Sequence, residues 1–314
     1  MTKTSTFSLA TPPLGPAVIA IGAFDGVHVG HQALVRDSMS IARSAGVASI
    51  VMTFEPDPED VLFPDTAPPR LTPAAEKTAL LAALGPDRVL VVAFDEVLAA
   101  LSPEEFCTRI LCAAATPHTV VVGSDFRFGS HASGNVRTLQ DLGAVHGFTV
   151  LGHDLIASDG ITVTATRIRA LIAEGAVAPA AVLLGRPHRV VGVVAHGRGV
   201  GHALGVPTAN LVHDPTVALP APGVYAAWAL LAEGRFRAAV SVGVPASFPD
   251  APPALEAHLI GFDGDLYGAT VAIDFVDRVR EQRPFASLEA LSAAIGDDVA
   301  HIARTLAGDQ VGDV

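Results

Sequence analysis

Residues 17–31 read AVIAIGAFDGVHVGH, and the expected fold of the first half of the chain follows from them. Residues 17–24 form an apolar run without polar alternation, which is typical of a strand buried on both faces of a parallel sheet. A turn with two glycines comes next, and a helical pattern then runs from His31 to about Ala45. The stretch predicts a buried strand, a tight turn and the start of a helix.

The alternation of strand and helix continues towards residue 185. Further β-branched runs stand at 49–54, 88–94 and 118–123, and helical patterns lie near 31–45, 73–84 and 102–114. Parallel strands need a long connection between them, and that connection is usually a helix. The pattern therefore predicts an α/β unit built on a doubly wound parallel sheet.

The alternation of strands and helices ends near Gly185-Arg186-Pro187. Short strand patterns follow at 189–195, 207–212, 223–231, 235–243, 254–261 and 268–276, and one helical pattern closes the chain at about 286–307. The Asp263-Gly264 step is typical of a tight hairpin. These features predict a small antiparallel β-barrel with a C-terminal helix. The expected domains are residues 1–185 and 186–314.

Composition narrows the classes of function. Half of the 314 residues are hydrophobic, which argues against disorder, and the formal net charge of −12 disfavours nucleic-acid binding. We expect no membrane partner and a cytoplasmic protein, because no apolar run is long enough to span a bilayer and no signal peptide is evident. Cys107 and Cys112 do not match a zinc or redox motif, so buried, inert thiols are expected. Composition leaves the oligomeric state open.

The segment Gly26-Val27-His28-Val29-Gly30-His31 is the first candidate site. His28 and His31 stand three residues apart at a helix entrance, where free N–H groups and the helix dipole favour anions. Fixed donors at this place suit nucleotidyl transfer, in which charge develops on a leaving pyrophosphate. The alternative is a glycine-rich turn with two solvated histidines.

Two later segments are expected to complete this site. Gly123–Gly129 follows the fourth strand, at the edge where open α/β sheets bind ligands. Thr164–Arg169 opens a helix with hydroxyls and arginines, and Arg169 is suited to pairing with phosphate oxygens. Hydroxyls at a helix start are also ordinary caps, so this segment alone leaves both interpretations open.

The second candidate site lies in the barrel half. Thr208 and Asn210 are two apart, so on a strand they share one face, and both offer neutral oxygens suited to Mg²⁺. Glu256 stands in an apolar strand pattern and is a candidate general base for an alcohol. The alternative is that Glu256 and His258 face solvent on an edge strand.

Several different sequence motifs follow one another across about residues 17–305. They read IGAFDGVHVGHQALV, TFEPDP, LSPEEF, VVGSDFRFG, TRIRALIAEG, LLGRP, LGVPTANL, GVYA, LEAHLIGFDGDLYG and SLEAL. Together they resemble the bacterial bifunctional riboflavin kinase/FMN adenylyltransferase family, or FAD synthetases. The resemblance implies an HxGH-type nucleotidyltransferase domain before residue 186 and a riboflavin kinase domain after it. ATP is the implied co-substrate, with riboflavin, FMN and FAD as the other small-molecule partners and Mg²⁺ as cofactor.

The resemblance also implies roles for individual residues. His28 and His31 would hold the ATP phosphates, and Glu256 would be the base of the kinase. Thr208 and Asn210 would bind Mg²⁺-ATP. The implied flavin pocket consists of Phe54, Pro56, Phe126 and Phe128. The implied nucleotide-binding residues are Gly22, Phe24, Asp25, Gly30, Asp125, Thr164, Thr166, Arg169, Gly199, Gly201 and Gly205.

Six positions depart from the family pattern: Ala23, Asp57, Ala165, Val200, His202 and Ser241. Each change removes a hydrogen bond or a charge near phosphate, at a cost of about 1–3 kcal/mol if the group is buried. They keep open two alternatives, a paralogue with only one active domain or with an altered flavin-like substrate. A flavin- or nucleotide-binding regulator without turnover is a third possibility of a different class.

Overall fold

The computed structural model describes residues 2–8, 13–154, 157–158, 161–196, 206–244 and 254–307. The chain divides into two compact units, Met1–Ala165 and Thr166–Val314. This boundary lies earlier in the chain than residue 185, where the sequence pattern changes from alternating strands and helices to short strands. The reason is that helix Val177–Leu184 packs on strands of the second unit.

The first unit contains a six-stranded parallel sheet. The strands of this unit are β1 (Lys3–Thr6), β2 (Leu14–Ile21), β3 (Ala48–Glu55), β4 (Arg88–Ala93), β5 (Ala115–Gly123), β6 (Arg127–Phe128), β7 (Gly134–Asn135), β8 (Thr149–His153), β9 (Ala157–Ser158) and β10 (Ile161–Thr162). The sheet has the order β1-β4-β3-β2-β5-β8. The helices are α1 (Val29–Ala45), α2 (Pro58–Leu62), α3 (Ala74–Ala83), α4 (Glu96–Ala99), α5 (Pro103–Phe106), α6 (Cys112–Ala114) and α7 (Val136–His146).

Both faces of the central strand β2 are covered. Val18 and Ala20 belong to an apolar cluster with Leu34 and Val35 of α1. Ile19 and the other residues of alternate parity join a second cluster on the opposite face. The predicted doubly wound sheet is confirmed.

The order of the strands locates the ligand-binding edge. The chain runs from β2 outward to β3 and β4, and then returns to place β5 on the other side of β2. Open α/β sheets bind ligands at such a reversal, beyond the carboxyl ends of the strands. The residues that follow β2 and β5 therefore face one crevice.

The six-stranded sheet has two strands that the sequence pattern does not predict. Strand β1 reads KTST and β8 reads TVLGH, and both lie at the edges of the sheet. Edge strands are buried on fewer sides, so they need no continuous apolar run. Neither sequence contains a continuous apolar run, so an analysis based on buried strands does not find them.

The predicted helix over 102–114 contains a π-helical turn. Residues Cys107–Leu111 connect α5 to α6, and the backbone N–H of Cys112 donates to the carbonyl oxygen of Cys107. Cys107 is fully buried, and burial raises the pKa of its thiol to about 12. A thiol with such a pKa stays protonated and unreactive at neutral pH.

The second unit contains a closed antiparallel barrel. It begins with helices α8 (Ala165–Ala173) and α9 (Val177–Leu184) and ends with α10 (Leu288–Thr305). The strands between them are β11 (His188–Ala195), β12 (Ala209–His213), β13 (Gly223–Leu231), β14 (Gly234–Gly243), β15 (Ala254–Leu259) and β16 (Thr270–Arg280). They close in the order β11-β12-β15-β14-β13-β16. The predicted barrel with a C-terminal helix is confirmed.

Within the described residues, every helix falls short of the length and apolarity that crossing a membrane requires.

Helix α10 is attached to the barrel by an apolar contact and an ion pair. Ile302 and Leu306 are buried against Ala226 and Trp228. The guanidinium of Arg280 donates from Nη2 to the Asp298 carboxylate at 2.8 Å and from Nε at 3.0 Å. Both side chains are mostly buried, so removing one partner would leave the charge of the other buried without its counter-ion.

Replacing Arg280 by methionine is expected to lower the free energy of unfolding of the second unit by about 3 kcal/mol. The Asp298 carboxylate would lose its cation while staying largely buried. Urea unfolding followed by the fluorescence of Trp228, the only tryptophan, measures the change. Arg283, which is exposed, supplies the matched control R283M, for which a change below about 0.5 kcal/mol is expected. Equal midpoints for the two variants would contradict the prediction.

Candidate active sites

The turn between β2 and α1 has an unusual backbone. Phe24, Gly26 and Val27 have φ angles of 56°, 78° and 40°. Positive φ is easy for glycine but unfavourable for a β-branched residue such as Val27. Neighbouring groups hold the turn: the Thr53 hydroxyl donates to the carbonyl oxygen of Ala23 at 3.0 Å. Such strain is characteristic of ligand-binding turns.

The two histidines stack on each other at the start of α1. Their ring centroids are 3.5 Å apart, with an angle of 17° between the planes. His28 caps the helix, because its Nδ1 accepts the backbone N–H of His31 at 3.3 Å. A Cβ on Gly30 would lie 3.2 Å from the His28 ring, so the glycine leaves the space that this ring uses. The predicted pair is thus assembled at a helix N-terminus.

The environment of His31 favours its neutral form. Burial lowers its pKa well below the usual value, and the nearby charges of His28 and Lys77 lower it further. The Phe24 ring lies edge-on to it, with centroids 5.2 Å apart. Among the described residues, Nδ1 of His31 has no hydrogen-bond partner. A bound molecule could supply that partner.

The Asp25 carboxylate fastens the turn to a neighbouring segment. It accepts the backbone N–H of Leu71 at 3.0 Å and that of Thr72 at 3.1 Å. Asp25 is only 6% exposed, which is costly for a carboxylate without such donors. These bonds account for the acid at this position, and its predicted nucleotide contact stays a prediction. Gly22 lies against the Phe24 ring. A Cβ added to Gly22 would be 3.2 Å from atoms of that ring.

Asp125 lies two residues after β5. It is at the edge of the sheet that also carries the turn between β2 and α1 with its two histidines, the histidine turn. Its side chain is exposed, and a Cβ on Gly123 would lie 2.8 Å from its Oδ1. Since β5 pairs directly with β2, both turns leave the sheet at the same edge. The contribution of Asp125 to the first site stays a prediction.

A cluster of phenylalanines forms beside this crevice. Phe54 at the end of β3 contacts Phe94 and Phe106, with ring centroids 5.8 and 6.4 Å apart. Phe106 also contacts Phe128, which stacks with Phe126. The structure thus brings three of the predicted flavin residues into one cluster with Phe94 and Phe106, and their contact with flavin stays a prediction. Pro56 is exposed, two residues beyond Phe54.

Charged residues that the sequence analysis missed surround the segment after Phe54. Arg70 pairs with Glu55 at 2.8 Å and also with Asp60. The ammonium of Lys77 donates to the carbonyl oxygen of Phe54 at 2.8 Å. Asp57, one of the departures from the family pattern, caps α2 by accepting the N–H of Glu59 at 3.1 Å. Sequence spacing alone gives no sign of this network.

The segment Thr164–Arg169 spans the boundary between the two units. Thr164 and Ala165 end the first unit, and Thr166 begins the second. Helix α8 starts at Ala165, as the pattern predicts. The contribution of Thr164, Thr166 and Arg169 to the histidine site stays a prediction.

In the barrel, three polar side chains stand in one row across neighbouring strands. Asn210 of β12 is directly opposite Glu256 of β15, and Glu256 is opposite Ser241 of β14. Leu255 and Ala257 face the barrel interior, so Glu256 and its row lie on the outer face. Glu256 is half-buried, and β15 has a strand on each side. The edge-strand part of the alternative is therefore wrong, whereas Glu256 and His258 do lie on the outward face.

Further contacts continue or support this row. The Gln282 amide donates to the Ser241 hydroxyl at 2.8 Å. Nδ1 of His258 donates to the carbonyl oxygen of Pro207 at 2.8 Å, which holds the residue before Thr208. Thr208 lines a cavity of about 260 Å³, together with Asp263 and Asp265. Gly199, Val200, Gly201, His202 and Gly205 lie outside the described residues.

Comparisons with known proteins agree with both halves of this description. A family model described as FAD synthetase matches residues 11–167, and one described as riboflavin kinase matches residues 184–306. A bifunctional riboflavin kinase/FMN adenylyltransferase from Pseudomonas fluorescens is 40% identical over 92% of this chain and 93% of its own length. The protein of that name from Escherichia coli is 35% identical over 93% of each chain.

A solved structure is similar over nearly the whole length. It comes from Streptococcus pneumoniae and is described as a macrolide-efflux protein. It superimposes with a TM-score of 0.84 at 30% identity and covers 96% of this chain and 98% of its own. The two family models that match concern flavin nucleotides, so the efflux in that description is not carried over.

Proposed function

The chain belongs to the bifunctional riboflavin kinase/FMN adenylyltransferase family, and on that premise we propose that it makes FAD from riboflavin in two steps. The second unit transfers the γ-phosphoryl group of ATP to riboflavin, giving FMN and ADP. The first unit then joins FMN to the adenylyl group of a second ATP and releases pyrophosphate. The stacked histidines at the start of α1 are the observation that carries the second step.

In adenylyl transfer, a phosphate oxygen of FMN attacks the α-phosphorus of ATP and the bond to the β-phosphate breaks. Charge builds on the leaving pyrophosphate, where fixed donors stabilise it most. His28, His31 and the free N–H groups at the start of α1 are suited to this role. Phe94 and Phe126, the partly buried members of the phenylalanine cluster, offer apolar surface for the isoalloxazine ring, and the buried rings of Phe54 and Phe128 support them.

In the kinase reaction, the terminal hydroxyl of the ribityl chain attacks the γ-phosphorus of ATP and loses its proton. Glu256 is our candidate for the base that accepts it. Its cross-strand neighbours Asn210 and Ser241 can orient the carboxylate or the substrate. Pairing of β15 with a strand on each side fixes the register of this row.

Thr208 and Asn210 are the residues that we propose for Mg²⁺. They offer one hydroxyl and one amide oxygen, which suit an ion that keeps several waters and takes phosphates as further ligands. No group of three histidine, cysteine or acidic residues able to hold a metal occurs among the described residues, so a dedicated protein cage is not expected. When bound, Mg²⁺ would neutralise charge on the ATP phosphates.

One assay tests both steps. Purified protein is incubated with ATP, Mg²⁺ and either riboflavin or FMN, and the flavins are separated by chromatography. Riboflavin should give FMN and then FAD, and FMN should give FAD directly. FMN as the end product would support a paralogue with one active unit, and bound flavin without product would support a regulator. Either result would overturn the bifunctional proposal.

We also propose that the partners are small molecules and that the protein acts in the cytoplasm. The net charge of −12 supports the first part, because phosphate backbones of nucleic acids repel it. Fractionation of cells that express the chain would contradict the second part if the protein were recovered outside the cytoplasmic fraction.

Replacing Gly30 by alanine is expected to lower the rate of FAD formation about tenfold without destabilising the protein. Alanine favours the helix by roughly 0.5–1 kcal/mol, but its Cβ would push the His28 ring from its position. The same substitution at Gly296 of α10, where a Cβ meets no atom within 4 Å, is the matched control. Thermal unfolding and FAD formation are measured on both. A wild-type rate in G30A would show that the ring position does not matter.

A further inference from the structure

The segment from Arg70 to Lys77 contacts both parts of the proposed adenylyl-transfer site. At one end, the backbone N–H groups of Leu71 and Thr72 hold Asp25 in the histidine turn. At the other end, Lys77 of α3 holds the carbonyl oxygen of Phe54. The histidine turn and the phenylalanine cluster thus share one support.

Lys77 is buried to an extent that is rare for lysine. Its side chain is 3% exposed, and its ammonium lies 3.4 Å from the Glu55 carboxylate. Burying a charge costs free energy that the ion pair and hydrogen bonds only offset. An apolar side chain of similar length would avoid that cost, so packing alone does not account for an ammonium here.

The contact of Lys77 fixes a particular piece of backbone. Phe54 is the second-last residue of β3, and its carbonyl group precedes the segment that leaves the sheet. The next residue is Glu55. Lys77 lies near one oxygen of its carboxylate, and Arg70 pairs with the other oxygen and also with Asp60. With both cations in place, the Phe54 ring keeps its contacts with Phe94 and Phe106.

We propose that Lys77 is a positioning residue for adenylyl transfer, which fixes the Phe54 wall of the flavin site relative to the histidine turn. The inference rests on the function proposed above for the first unit. Lys77 acts through the Phe54 backbone and is not itself assigned a contact with substrate. A shift of about 1 Å at a reacting centre can cost about a hundredfold in rate, so such a support has a measurable effect.

The charge of Lys77 supports the same assignment from a second direction. It is one of the groups that lower the pKa of His31, which places it within electrostatic reach of the histidine pair. Lys77 therefore lies near the histidine turn as well as near the Phe54 segment that it holds.

The test separates the effect on FMN from the effect on ATP. In K77M, the KM for FMN is expected to rise about tenfold and kcat to fall at least tenfold, while the KM for ATP changes less than threefold. Lys3, the only other lysine and an exposed one, supplies the matched control K3M, which should behave as wild type. Equal kinetics of K77M and wild type would overturn the proposal, as would equal changes in the two KM values.

A double variant guards against loss of the fold. In K77M/E55Q the side chain facing Lys77 is neutral and Arg70 keeps Asp60 as its partner, so no charge is left unpaired, yet Phe54 still lacks its donor. We expect the melting temperature to recover and the KM for FMN to remain raised. Recovery of both would assign Lys77 a purely structural role and overturn the inference.

The kinase reaction distinguishes failure of this inference from failure of the proposed function. Riboflavin phosphorylation by the same samples should be unchanged in every variant, because the second unit carries it out. If wild-type protein made no FAD from FMN, the proposed function of the first unit would fail. If wild type made FAD and K77M did so equally well, only the role of Lys77 would fail.

Discussion

Protein in which His28 is replaced by alanine should form FAD from FMN about a thousandfold more slowly than wild type, with riboflavin phosphorylation unchanged. The alanine removes the donor that we propose for the developing charge of pyrophosphate, and loss of such a donor costs about 10²–10³ in oxyanion sites. It also removes the acceptor of the His31 N–H, so the stacked pair loses its geometry. The kcat for each reaction, measured by chromatography of the flavins, checks the result.

The control for this prediction is another histidine of the first unit. His146 lies at the end of α7 and is exposed, and H146A should keep both activities. If H28A slowed riboflavin phosphorylation as much as FAD formation, the assignment of the reactions to the two units would be wrong.

The second large effect is expected in the barrel. Replacing Glu256 by glutamine should lower kcat for riboflavin phosphorylation by about 10²–10⁴, the usual contribution of a general base. Glutamine has nearly the same shape, so the row with Asn210 and Ser241 should persist. FAD formation from added FMN should proceed at the wild-type rate, because the histidine site is intact.

Glu233 provides a comparison for this variant. It lies in the exposed turn between β13 and β14, and E233Q should phosphorylate riboflavin normally. A wild-type kcat in E256Q would remove Glu256 from the mechanism. The proton would then have to leave the hydroxyl by another route.

The sequence predicted the fold well because the informative patterns are local. Residues 17–24 are apolar without interruption, and β2 is indeed buried on both faces. The histidine pair was also predictable, because its two members lie on one turn of chain. Edge strands β1 and β8 escaped prediction because their burial is too slight to impose an apolar pattern.

The parts of the sites that escaped prediction depend on contacts between distant segments. Phe94 and Phe106 come from different elements than Phe54 and meet it only when the sheet forms. Lys77 also comes from a segment distant from Phe54 in the sequence, and no local motif links the two residues. In the barrel, Asn210 lies on β12 and Thr208 just before it, so their predicted shared face stays a prediction, and the alignment of Asn210, Glu256 and Ser241 follows from strand register.

The π-helical turn at Cys107–Leu111 makes the proposed flavin pocket sensitive to the length of the chain as well as to its composition. A π turn holds one residue more than an α turn, and each residue of an α-helix advances about 100° around its axis. Deleting a single residue there would convert the turn to regular α-helix and rotate the preceding segment by about that angle. Phe106 would swing away from Phe54 and Phe128, so a one-residue deletion should empty one wall of the pocket while leaving every aromatic side chain in the sequence.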